Sequence, residues 1–177
     1  MVQKYINSKK WPSSVTVTCL SSTACLSAGD ALREIDAMGV IRSDPFILIS
    51  GDVVTNMNLK AAIAVHKERK RVDSNTIMTV TFKKIQRNAS VEPVLDDLVV
   101  ALDSNTNQLL LFENELLKKD VTIPLEIMVD HPGLAIRTDL LDCHVDICSP
   151  ELLLQFSDNF DYQVSLHVIT YHRMDVI

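Results

Sequence analysis

The segment that most constrains the fold is FILISGDVVTNMNLKAAIAVHKERK, Phe46 to Lys70, with TIMTVTF, Thr76 to Phe82, close behind it. Phe46 to Ile49 is apolar without alternation, which fits a strand covered on both faces, as in a parallel sheet. Ser50-Gly51-Asp52 then breaks the run. Asn58 is placed to cap a helix, and Leu59, Ala62, Ile63 and His66 mark one face of it. Thr76 to Phe82 is β-branched and reads as the next strand. Upstream, Ser14 to Leu20 (SVTVTCL) alternates and also reads as a strand, Ser21 to Ala28 as a loop, and Asp30 to Met38 as a helix ended by Gly39. Strand, helix, strand, helix, strand is the order of an α/β fold with a largely parallel sheet flanked by helices.

Downstream the pattern changes. Leu98 to Asp103 and Gln108 to Glu113 flank Ser-Asn-Thr-Asn and predict a hairpin. His144 to Cys148 predicts a late strand. Ser149-Pro150-Glu151 predicts a helix start with a serine cap, proline in the first turn and an acid at the positive end of the dipole. Lys83 to Asp97 is the most loop-like stretch and reads as a mobile insertion.

The chain has 177 residues, enough for one domain with a core of its own. With only 4 glycines, long flexible linkers are not expected. A net charge of -6 argues against broad electrostatic binding to nucleic acid or an anionic membrane. No apolar run approaches the roughly 20 residues a helical membrane span needs, and the first ten residues carry no signal-peptide core. The expectation is a cytosolic protein with Cys19, Cys25, Cys143 and Cys148 as reduced thiols.

Candidate sites are few. In open α/β sheets, ligands bind beyond the carboxyl ends of strands. Gly51 there lets the backbone approach a ligand, and Asp52 is a residue type that holds a hard cation beside phosphates. The alternative is that Asp52 only tightens the turn. The basic run His66 to Arg71 reads as a solvated helix end near the negative pole of the dipole. In Asp142 to Cys148, strand alternation puts His144, Asp146 and Cys148 on one face and Cys143, Val145 and Ile147 on the other. A metal site from the first three lacks a fourth ligand, so packing and hydrogen bonding are the better reading. Nothing local supports a Cys-His or Ser-His catalytic pair. Asp158 to Tyr162 (DNFDY) reads as a helix end with Asn159 near the cap and Phe160 in the core; the alternative is an exposed contact patch.

Three stretches, GDALREID (Gly29 to Asp36), Phe46 to Lys70, and RTDLLDCHVDICSPELLLQFSDNFDYQ (Arg137 to Gln163), resemble the epsilon subunit of eukaryotic translation initiation factor 2B. That subunit is the catalytic one of a guanine-nucleotide exchange factor for initiation factor 2. The likeness runs from about Ser14 to Gln163 and is shared more loosely, in its middle part, with sugar nucleotidyltransferases. It implies a nucleotidyltransferase-like, Rossmann-like α/β domain over residues 1–163, with residues 164–177 a divergent tail. The family's opening strand and Gly-rich phosphate loop precede the matched region, and an isolated chain without that strand is expected to be only marginally stable.

The resemblance also implies residue roles. Asn159 and Phe160 match the pair that supports engagement of initiation factor 2. Asp52 matches the metal-binding acid of the nucleotidyltransferases, here a vestige, because the second acid lies in a stretch the chain does not reach. The exchange chemistry belongs to a C-terminal helical domain beyond the match, so no catalytic residue and no cofactor is expected in this chain. The implied function is assembly and substrate contact within the multi-subunit factor. Its partners would be the factor's other subunits and GDP-bound initiation factor 2, with no direct nucleic acid and no membrane. The alternative function is a sugar-nucleotide pyrophosphorylase.

Overall fold

The computed structural model describes residues 1–85, 98–114, 120–160 and 162, and the backbone of 173–176. Its elements in order are α1 (Val2–Ser8), α2 (Ala28–Ala37), β1 (Phe46–Ile49), α3 (Leu59–Val72), β2 (Thr76–Lys84), β3 (Val99–Asp103), β4 (Gln108–Glu113), α4 (Leu125–Asp130), β5 (Leu134–Arg137), β6 (Leu140–Cys148), α5 (Glu151–Asp158) and β7 (Arg173–Val176). Most of the expected insertion, 86–97, lies outside the described residues; Lys83 and Lys84 end β2.

Local signals explain the helix boundaries. Asn58 does cap α3: its Oδ1 accepts from the Ala61 amide at 3.3 Å. Helix α2 starts earlier than the apolar spacing predicts. Ser27 and Asp30 form a reciprocal capping box at its first turn. Gly39 lies just past its end at φ 60°, a conformation that favours glycine. The hairpin turn between β3 and β4 is held by Asp103, whose Oδ1 accepts from the amides of Asn105 and Thr106.

The sheet corrects the expectation of mostly parallel strands. Among the described residues it has seven strands in the order β1-β6-β2-β7-β4-β3-β5. Every described strand pair is antiparallel except β2 with β7. Strands β1 and β2 do run in the same direction, but β6 lies between them, antiparallel to both. The unbroken apolar run of β1 reports cover on both faces, and cover does not require a parallel neighbour. Ser14 to Leu20 forms no strand. Val15 and Leu20 are exposed, and the Val15 amide donates to the Pro12 carbonyl in a local turn. β-branched alternation becomes a strand only where a ladder receives it.

Helices α2 and α5 cover one face. Leu32, Leu152, Leu153 and Phe156 pack there with Phe46, Met78, Val80 and Cys148 in one core that continues to Val100, Leu102 and Leu109. Helix α3 covers the other face through Ala62 and His66.

Candidate functional site

The carbonyls of the last turn of α5 need donors from elsewhere. Arg33 of α2 supplies them. Its Nη1 donates to the carbonyls of Phe156 at 3.0 Å, Tyr162 at 3.2 Å and Asn159 at 3.4 Å. A guanidinium at this point also meets the negative end of the helix dipole. Its Nη2 donates to Asp30 Oδ1 at 2.8 Å, and Asp30 Oδ2 accepts from the amides of Leu26 and Ser27. Arg33 and those amides hold the Asp30 carboxyl down at about 2. A second tie joins the same helices: Ser157 Oγ donates to Asp36 Oδ2 at 2.6 Å.

This clasp presents Asn159 and Phe160. Asn159 is the C-cap of α5, and its Nδ2 donates to the Gln155 carbonyl at 3.1 Å. The ring of Phe160 is 77% exposed, with the Arg33 guanidinium carbon 5.5 Å from its centroid. The core reading of Phe160 is thus overturned. The core is filled instead by Phe156, with Tyr162 set edge-on to it at 6.1 Å. Arg33 escaped notice in the sequence, although Asp30 three residues before it on one helix face was a visible pairing signal.

Asp52 lies in the exposed turn after β1, where the Val53 amide donates to the Ser50 carbonyl and Gly51 has open space around it. Among the described residues no group of three or more His, Cys, Asp or Glu is placed to hold a metal, so Asp52 stands without co-ligands there. The face shared by His144, Asp146 and Cys148 is not a site either. His144 adopts φ 51°, which breaks the alternation and turns its ring outward, while Asp146 and Cys148 stay buried. One oxygen of Asp146 is enclosed with no hydrogen-bond partner. Burial, reinforced by Asp142, pushes this carboxyl up to about 8.

The basic run is solvated only in part. His66 is fully buried, with Nδ1 2.9 Å from Thr79 Oγ1 and Nε2 3.1 Å from Ser149 Oγ. Lys70 donates to Ser149 Oγ, Asp44 and Glu151. A lysine ammonium only donates, so the Ser149 hydroxyl is free to give its proton to His66 Nε2, and Nδ1–H then donates to Thr79. Burial and the nearby Lys70 lower the His66 pKa and keep the ring neutral. Ser149 therefore does not cap α5, whose N-cap is Pro150 with no side-chain bond. Ser149 is also fully buried, which places this serine and histidine in the packing of α3 against the sheet.

The chain is 43% identical over 163 residues to translation initiation factor eIF2B subunit epsilon of Dictyostelium discoideum and 39% identical over 166 residues to the same subunit of Schizosaccharomyces pombe. These alignments cover 91% and 92% of this chain but 23% and 24% of the relatives, so the chain spans about a quarter of the length of the curated proteins it matches. No family model matches it. Among solved structures, HddC from Yersinia pseudotuberculosis superposes with a TM-score of 0.61 over 99% of this chain and 63% of HddC, at 15% identity. HddC complexed with GMP-PN gives 0.57 over the same shares, at 14% identity. At that identity the likeness speaks for the fold.

Proposed function

We propose that this chain, homologous over nine-tenths of its length to a segment of the eIF2B epsilon subunit, is a non-catalytic contact module of that exchange factor. It works in translation initiation, in the cytosol, beside the factor's other subunits and against GDP-bound initiation factor 2. Residues 1–163 form the nucleotidyltransferase-like part and 164–177 a tail. The observation that carries the reading is the outward display of Phe160 beside Asn159, on a helix end fixed by Arg33. An aromatic ring held rigidly in solvent loses little entropy on binding and suits a hot spot.

The test immobilises GDP-bound initiation factor 2 and measures capture of the purified chain. Phe160→Ala is expected to weaken capture about 10-fold or more. As an exposed residue it should change stability by only about 0.5 to 1 kcal/mol. Equal capture of wild type and variant would remove Phe160 from the contact. The chain alone should not accelerate GDP release, since the exchange chemistry belongs to the helical domain of the family.

The fold shared with HddC keeps a pyrophosphorylase reading in view. That reaction needs Mg²⁺ to neutralise charge between a nucleotide and a sugar phosphate. Asp52 is the only acid of this chain that the family pattern assigns to the ion. Replacing it (Asp52→Ala) is expected to leave the chain's behaviour toward Mg²⁺ and nucleoside triphosphate unchanged by calorimetry. Mg²⁺-dependent turnover that disappears in Asp52→Ala would reverse the assignment.

A further inference from the structure

We infer that α4 is a docking ridge for an apolar, basic-rimmed segment of a protein partner, at a surface separate in sequence from Asn159 and Phe160. Helix α4 buries none of its residues. Leu125, Met128 and Val129 are 71%, 53% and 70% exposed. Their spacing of i, i+3 and i+4 puts them on one face of the helix, so this is a stripe of the kind that normally packs inward. Val121 before it and Ile136 in edge strand β5 are exposed as well.

The ridge is held in place. The amide of its C-cap, His131, donates to the Ile127 carbonyl at 3.0 Å, and His131 Nδ1 lies 2.8 Å from Asp103 Oδ2 in the β3–β4 turn. The Ser104 amide donates to the Gly133 carbonyl at 2.8 Å. A short helix of this length is not stable by propensity alone. These ties fix it to the sheet with its apolar side outward.

Charge identifies the occupant. From residue 120 to 136 the chain carries Asp120, Glu126 and Asp130 and no lysine or arginine. All three acids are exposed around the apolar stripe. Such a rim repels acidic surfaces, another copy of this net-negative chain among them, and steers a partner whose apolar residues are flanked by Lys or Arg. An amphipathic helix laid along the ridge meets this description.

The inference rests on the reading that the chain works within the multi-subunit factor, and its test separates the two. The full chain is co-expressed with the factor's other subunits and purified through a tag on the chain. A Leu125→Glu, Val129→Glu double variant is expected to recover about a tenth or less of the subunits that wild type recovers. Glu126→Lys with Asp130→Lys should lower recovery less, and remove its sensitivity to salt. Melting temperatures equal to wild type confirm that the variants fold. Wild-type recovery by both variants would overturn the ridge and leave the functional reading standing. No recovery by wild type would overturn both. A wild-type dimer that the double variant abolishes would make the occupant a second copy and overturn the partner assigned here.

Discussion

Asp146→Asn is expected to stabilise the chain at pH 8 and to flatten its stability between pH 4 and pH 8. The carboxyl sits in strand β6 between Leu48 and Val80, with one oxygen enclosed and unpaired. Its folded pKa of about 8 lies above the ordinary value of 3.8. Below pH 3.8 both folded and unfolded forms bind the proton, and the group is neutral in the balance. As pH rises toward 8 only the folded form keeps the proton, so stability falls through this window and levels off above it. About 1.4 kcal/mol per pH unit over this shift sets an upper bound near 6 kcal/mol, and relaxation with some water entry brings the expected gain to about 3 kcal/mol. Asparagine has the same shape and no charge to remove from water. Urea unfolding at pH 5 and pH 8 measures it: wild type should lose stability between the two and Asp146→Asn should not. Parallel pH profiles would mean that Asp146 is not desolvated.

Arg33→Ala is the second large effect. It removes three bonds to the carbonyls that close α5, the pair with Asp30 and the cation beneath Phe160. The Arg33 side chain is only 14% exposed, so water does not readily replace it. Hydrogen bonds from a charged donor carry about 1.5–3 kcal/mol, and the expected loss is about 3 kcal/mol in all. Lysine should not rescue it, because one ammonium does not present the planar fork that reaches several carbonyls and a carboxylate together. Thermal unfolding reads the loss, and capture by GDP-bound initiation factor 2 reads its consequence for Phe160. Arg33→Ala should weaken capture at least as far as Phe160→Ala does. A stable Arg33→Ala chain with unimpaired capture would show that the clasp does not position the ring.

What was legible in the sequence depended on whether the signal was local. The Asn58 cap, the α3 face and the hairpin around Ser-Asn-Thr-Asn rest on contacts within a few residues, and each reads correctly. The resemblance carried on Arg137 to Gln163 also holds over the length of the relatives' aligned segments. Strand direction was not legible, because burial of Phe46 to Ile49 on both faces looks the same beside a parallel or an antiparallel neighbour. Ser14 to Leu20 had the right residue types and no ladder to join. Ser149 was misread for a related reason. Its hydroxyl has a cap position in sequence, yet His66 and Lys70 reach it from α3 and take its bonds. The orientation of Phe160 depended on Arg33, more than 120 residues earlier, which no window along the chain connects to it.

Strand β7 carries one more consequence. It is the only backbone link in the described sheet between the trio β1-β6-β2 and the trio β4-β3-β5, and it spans just Arg173 to Val176. Three strands with an apolar face are about the least that holds together independently. The molecule is therefore two small cooperative units laid over a shared oily layer and stitched by a four-residue seam. Opening that seam leaves each unit its own hydrogen bonds, so fraying there separates the halves before it dissolves either of them.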